Sequence, residues 1–261
     1  MLKDYFLGLY KERYVIKTLV GSDLRTKYRN SYLGVAWSVL MPFGLAMIIG
    51  LVYSVLFGVS PREFIPMLFS GLNPWLFITG SADGGTAAFI SAEGYIKQTA
   101  VHPQIFPVRM VTANFINLLY AVLAFLTFYL FMNPSAFKPG MLAVIPGLMI
   151  IYVFVLGMTN MSAVINLYIR DFQPVQAIFM QGMFFATPIV FQPEMLRAQG
   201  FSIVYQINPF YYMLEVVRTP LLGNGFASSR IYAVAISLAV IYFLISAFAV
   251  MKIRKKIAFK L

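Results

Sequence analysis

Nine acids, one histidine and no cysteine give this chain of 261 residues few candidates for acid–base or metal chemistry. A phosphate-binding loop needs Gly-Lys followed by a hydroxyl residue, because the backbone cradles the phosphates and the lysine neutralises them. No Gly-Lys pair occurs. Nor is there an HExxH zinc motif, a paired-carboxylate motif or a nucleophile elbow. Without cysteine, disulfides and thiolate metal sites are excluded. His102, in the proline-bounded QTAVHPQIFPVR, reads as a structural or solvated loop histidine. Asp83, in GSADGG, is the one acid inside an otherwise apolar predicted span. A carboxylate at mid-membrane costs about 2.5–3.5 kcal/mol, so such an acid is a functional candidate by default. Two readings stay open. Asp83 faces a pathway, or its neighbours Gly80, Gly84 and Gly85 serve close helix packing or a helix break. Ion coupling would want several intramembrane ionisable groups or paired broken helices in a repeat, and neither is evident.

The elements that would hold these residues are set by the solvent. The chain is 60% hydrophobic and 11% charged, against about 25% charged in ordinary soluble domains. The bilayer is the natural solvent for such a composition. A helix needs roughly 20 residues to cross about 30 Å of hydrocarbon. The uncharged runs predict an all-α integral membrane protein of six helices, at about 32–58, 65–91, 108–132, 141–168, 174–192 and 230–251. The proline of NPFYY, Pro209, disfavours helix at Asn208, so about 194–226 reads as a re-entrant or interfacial external segment.

The net charge of +11 sits in terminal blocks that flank spans, which is a membrane topology signal and not a nucleic-acid face. With both termini cytoplasmic, fifteen of the twenty basic residues lie inside. Outside remain Arg62, Lys138, Arg197, Arg218 and Arg230. In residues 1–29, Tyr5, Phe6, Leu9, Tyr10, Tyr14, Ile16 and Leu19 alternate with Lys3, Lys11, Arg13 and Lys17 at near-helical spacing. That is the pattern of an amphipathic helix on the inner membrane surface, with a plain positive-inside anchor as the alternative. Residues 30–261 then form one transmembrane domain. No cleavable signal peptide is expected, since the first apolar run is too long and starts too late.

Several stretches together resemble a family. They are RTKYRNSYLGVAWSVLMP, FSGLNPWLFI, EGYIKQTAVHPQIFPV, INLYIRDFQPV, FFATPIVF and INPFYYMLEVVRTPLLG, spread over roughly 25–225. In this order they are similar to type-2 ABC exporter permeases, and more narrowly to those exporting O-antigen, capsular polysaccharide or teichoic acid. The resemblance implies a homodimer in the bacterial inner membrane, working with two cytoplasmic ATPase subunits that hold the ATP and magnesium. This chain would then bind no cofactor and catalyse no reaction. The expected cargo is a lipid-linked O-antigen or capsule glycan. Teichoic acid, a lipid or a drug is the alternative, and an ion-coupled transporter or membrane enzyme the remaining one.

The resemblance also implies roles. The loop 92–107 corresponds to the coupling helix, with Glu93, Tyr95, Ile96, Lys97 and Gln98 as the helical turn that meets the ATPase; a solvated connector is the plainer reading. The channel between subunits would be lined by aromatic rings, since sugars have apolar C–H faces that stack on them. Tyr32, Trp37, Tyr53, Phe179, Phe184 and Phe185 are the expected lining, although each could equally face lipid. Glu215 and Arg218 are three apart, as an ion pair on one helix face would be, and are the candidates for an external gate; a pair at the surface would contribute only tenths of a kcal/mol.

Overall fold

Prolines, glycines and extended residues decide where each helix starts and stops. The computed structural model describes residues 2–29, 31–132 and 138–261. Met1 and Asn30, the outer limits expected for the arm and the domain, lie outside them. The described residues form helices and connections, with no strand among them.

The amphipathic arm is two helices, α1 (Leu2–Lys11) and α2 (Arg13–Tyr28), broken at Glu12. It is not a helix lying free on lipid. Tyr5 of α1 is buried, takes a hydrogen bond from Asn160 at 3.1 Å and meets Phe243 edge-on. Burial pushes the Tyr5 phenol up, so it stays neutral.

α3 (Trp37–Phe57) starts five residues later than expected, because Gly34, at φ +49°, and a 3-10 turn over Gly34–Ala36 precede it. It ends at Gly58, whose left-handed conformation returns its N–H to Val55 and that of Val59 to Ser54. α4 (Pro61–Thr86) lies four to five residues earlier than predicted at both ends. Pro61 takes the first helical position, where its missing N–H costs nothing, and the charged Arg62 and Glu63 belong to the first turn. α5 (Glu93–Gln98) follows a turn, then α6 (Ile105–Met132), and α7 (Val144–Tyr168) after a 3-10 turn over Pro139–Ala143.

α8 (Phe172–Ala186) is the largest correction: 15 residues in place of the predicted 174–192. Thr187 is extended because Pro188 follows it. α9 (Pro193–Ala198), α10 (Ser202–Gln206) and α11 (Pro209–Leu221) fill the external segment. Asn208 is extended as expected, and its side chain accepts from the Phe210 N–H at 2.9 Å. The same amide donates to Thr187 at 2.8 Å, tying the start of α11 to the end of α8. α12 (Ser229–Ile253) and α13 (Ile257–Lys260) close the chain.

Among the described residues, four helical stretches are long and apolar enough to cross a membrane: Trp37–Phe57, Ile105–Phe131, Pro139–Tyr168 and Ser229–Ile253. α7 is the axle. It packs on α4, α6, α8, α11 and α12. A Cβ at Gly157 would come within 3.0 Å of the Phe243 backbone of α12, and one at Gly85 of α4 within 3.0 Å of the Thr159 backbone. Small residues are what let backbones approach so closely. Gly84 and Gly85 therefore pack, and the helix runs on to Thr86 without a break. A Cβ at Gly80 would meet nothing within 4 Å, so this glycine is not needed for close packing. Polar bonds tie the same helices together: Thr159 donates to Ser81 at 3.1 Å and Asn166 to Thr86 at 2.8 Å. In lipid such bonds do what water cannot.

Candidate functional site

Three of the expected site residues meet in one cleft between α4 and α8. Trp75, Thr79 and Asp83 lie four apart on α4, so they share one face. Met180, Gln181, Phe184 and Phe185 of α8 face them across about 410 Å³. Trp75 is only 4% exposed. Its ring stands 6.0 Å from Phe184 and 5.4 Å, edge-on, from Phe210; Phe184 and Phe185 are themselves edge-to-face at 5.4 Å. Thr79 returns its hydroxyl to the Trp75 carbonyl at 3.1 Å. Asp83 is exposed at the end of the row. Aromatic faces beside a carboxylate and a carboxamide suit a polyhydroxylated ring: the faces stack and the polar groups accept and donate hydrogen bonds.

The other expected aromatics do not join this wall within one chain. Phe179 is exposed on α8, outside the cleft. Tyr53 is partly buried against the core, its ring 5.7 Å from Phe57 one turn on in α3. Tyr32 is fully exposed before α3. Trp37 lines a different cleft, formed by α3, α4 and α6. Trp75 was missed in the sequence, although its four-residue spacing to Thr79 and Asp83 was there to be read.

α5 covers the five residues assigned to the coupling turn. Lys97 donates to Glu93 at 2.6 Å, one turn apart, and this bond holds the Glu93 carboxyl below its ordinary value. Thr99, extended, returns its hydroxyl to the Tyr95 carbonyl at 2.6 Å and stops the helix. Tyr95, Lys97 and Gln98 are exposed. Ile96 corrects the expectation: it is 8% exposed and points into a core with Phe89, Phe106, Leu167, Val250 and Ile257. Its apolar side chain anchors α5 and is not part of the outward face.

The loop after α5 is fastened to the arm. His102 Nδ1 lies 3.2 Å from Glu12 at the α1–α2 break. Gln104 donates to the Tyr5 carbonyl at 3.4 Å, and Gly8 leaves the space that Gln104 and His102 occupy. Arg109 of α6 grips Asp23 of α2 through two bonds, at 2.6 and 2.8 Å.

Glu215 and Arg218 do pair, at 3.0 Å, but the pair is buried and not at the surface. Arg218 also donates to the Ile189 carbonyl at 3.4 Å, and Thr219 to Glu215 at 3.1 Å. The guanidinium lies where a side chain on Gly71 of α4 would be, so a larger residue there would displace Arg218 from its place. Arg218 Nε has no partner among the described residues. A buried pair of this kind is costly to break because the remaining charge is stranded.

No cluster of three metal-ligating side chains occurs among the described residues. Two curated relatives are O-antigen export system permease proteins RfbA. That of Myxococcus xanthus is 29% identical over 212 residues, which are 79% of each chain. That of Klebsiella pneumoniae is 28% identical over 213 residues, 80% of each. The family described as ABC-2 type transporter matches residues 14–222. That stretch runs from α2 through α11 and takes in the aromatic cleft, α5 and the buried pair, so the chain belongs to the ABC-2 type transporter family.

Proposed function

We propose that the chain is the membrane permease subunit of an ATP-driven exporter that carries a lipid-linked polysaccharide, O-antigen or capsule, across the bacterial inner membrane. The observation that carries this reading is the identity of its relatives, O-antigen export permeases aligned over 79% and 80% of the chain. The aromatic cleft with its carboxylate supports it from the chemical side.

In this reading six helices cross: α3, α4, α6, α7, α8 and α12. α4 is polar for a span, and its Ser70, Asn73, Ser81 and Thr86 are buried by neighbouring helices rather than facing lipid. α8 rises only roughly 22 Å, and the bilayer thins or the following extended segment completes the crossing. α9 to α11 form the re-entrant external segment, both termini are cytoplasmic, and the arm lies at the inner surface. Two copies of the chain work with two ATPase subunits, which hold ATP and magnesium. The exposed Glu93, Tyr95, Lys97 and Gln98 meet the ATPase. Ile96 passes the push on to α6, α12 and α13, which share its core. Trp75, Phe184 and Phe185 hold sugar faces while Asp83 accepts sugar hydroxyls. Tyr32, Trp37, Tyr53 and Phe179 are left to line the path against the second copy. The Glu215–Arg218 pair fixes the outer segment that gates the exit.

Deleting the gene and assaying surface polysaccharide tests the reading. Loss of surface glycan with intracellular accumulation, restored by the wild-type chain, is the expected result. Unchanged surface glycan would overturn it. A pull-down of the tagged chain should bring an ATPase, and Lys97→Glu/Tyr95→Ala on the outer face of α5 should release it.

A further inference from the structure

A groove of about 440 Å³ opens between α3, α4 and α6, on the side of the Gly58 turn and away from the arm. Met47 and Leu51 of α3, four apart and so on one stripe, form one wall, and Ile65 and Pro66 of α4 the other. The floor is a stack of three rings. Phe69 lies on Phe125 at 4.9 Å and Phe125 on Tyr129 at 5.4 Å, with their planes 13° and 10° apart. One charge, Arg62, lines the groove, and no acid does. Arg62 is exposed in the first turn of α4 and has no ion-pair or hydrogen-bond partner among the described residues. A cation in a first turn opposes the helix dipole, so helix stability does not account for it. Glu63, the next residue, leaves α4 about 100° away and is not in the lining.

We propose that this groove holds one anionic phospholipid of the leaflet opposite the arm, with an acyl chain along the ring stack and the phosphate at Arg62. The depth fits. α3 has 21 residues and rises about 30 Å, one crossing of the hydrocarbon, so the turn after it reaches the far headgroup layer. Phe69 follows Arg62 by seven residues, about 10 Å of helix rise. The charge is therefore at the mouth, and the rings lie about a third of the way into the hydrocarbon. A groove so placed is filled by lipid, since a polar solute there would lose its hydrogen bonds. The acyl chain alone gains little, because lipid tails are as apolar as the groove. Selection then rests on the head. A guanidinium takes a phosphate through two parallel N–H bonds. The Tyr129 hydroxyl, without a hydrogen-bond partner among the described residues, is free to donate to an ester oxygen. A zwitterionic head would bring a cation as well, and the groove offers it no acid.

The site needs only a chain that spans the bilayer, whatever its cargo, so it can be absent while the export reading stands. The chain has no cysteine, so Val55→Cys creates a single labelling position. Val55 lies four residues beyond Leu51 on the same stripe, is 80% exposed and stands beside the groove without lining it. The full chain, with a nitrobenzoxadiazole label at position 55, is reconstituted in phosphatidylcholine vesicles. Nitroxide-labelled phosphatidylglycerol or nitroxide-labelled phosphatidylcholine replaces part of the lipid and quenches the label. The expected result is about a fivefold preference for the anionic lipid, the effect of one cation near a phosphate. Arg62→Gln should abolish it. Leu51→Trp should abolish it too, since the larger ring fills the groove and leaves every charge in place; thermal unfolding checks that both variants are folded. Equal quenching by both lipids overturns the proposal. So does a preference that survives Leu51→Trp, which would mean surface charge alone, and so does the lack of quenching by either lipid, which would mean that protein covers the groove. Unlabelled polyprenyl diphosphate relieving the quenching better than unlabelled phosphatidylglycerol would assign the groove to a cargo carrier and overturn the phospholipid. Equal or weaker relief supports it.

Discussion

The aromatic cleft and the cleft at Trp37 share α4 and differ in almost everything else. One has an acid and no base, a buried tryptophan and a wall of phenylalanines from α8. The other has a base and no acid, a half-exposed tryptophan and a wall of carboxamides. One helix can serve both because its side chains leave it every 100° or so, so residues 75, 79 and 83 share one stripe and 73, 76, 77 and 80 another. The comparison also explains why α4 falls outside the four most apolar spans. Its polar groups line clefts or bond to α6 and α7, so neighbouring helices and not lipid are their solvent.

The largest expected difference is between the two tryptophans. Trp75→Ala should cost about 3–5 kcal/mol, because a buried ring packed on Phe184 and Phe210 leaves a cavity. Trp37→Ala should stay within about 1 kcal/mol, as its ring is half in the open. Thermal unfolding in detergent measures both, and equal losses would break the distinction. Next come two glycines of α4. Gly85→Leu drives a side chain into the Thr159 backbone and should lose about 1–3 kcal/mol. Gly80→Leu should hold stability or raise it by up to about 1 kcal/mol through better helix propensity. The same unfolding assay compares them.

A smaller effect separates the chemistries. Asp83→Asn removes a charged acceptor from the aromatic cleft and should lower export about tenfold, or ~1.4 kcal/mol. Thermal stability should not move. A matching loss of stability would mean that Asp83 holds the fold and not the cargo. The smallest effect lies in α5, outside both clefts. The Glu93 carboxyl is depressed by the Lys97 bond, so the contribution of this pair is present at neutral pH and fades as pH falls through the carboxylate range. Lys97→Met should return Glu93 toward its ordinary value in a carbon-detected titration, with no change at either cleft.

Much of this was legible in the residues, for local reasons. α5 matches its expected turn because Glu93 and Lys97 pair one turn apart and Thr99 ends it, all within seven residues. The extended Asn208 follows from Pro209, and the last long helix from an apolar run ending in lysine and arginine. The end of α8 was written in Thr187-Pro188 and was overlooked, because counting uncharged residues measures hydrophobicity and not helix. α4 was placed late for the same reason, since a charged first turn after Pro61 is still helix. Ile96 and Arg218 were misjudged because each looks ordinary in sequence. One is an isoleucine in a polar turn and the other an arginine on an external segment. Only the arrival of Phe106, Val250 and Ile257 at the first, and of Gly71 and Ile189 at the second, makes them interior.

The sequence alone determined that this chain lives in a bilayer, that it carries no nucleotide loop, and roughly where its long helices lie. Those properties depend on composition and on residues within a few positions of one another. Only the tertiary structure decided that Asp83 shares a cleft with Phe184 and Phe185, and Trp37 one with Asn73, Asn114 and Asn117. Those pairings cross separations of tens of residues and depend on how α3, α4, α6 and α8 rotate against each other. In lipid that rotation is set by close packing at small residues and by polar bonds between helices, and hydropathy carries no record of either.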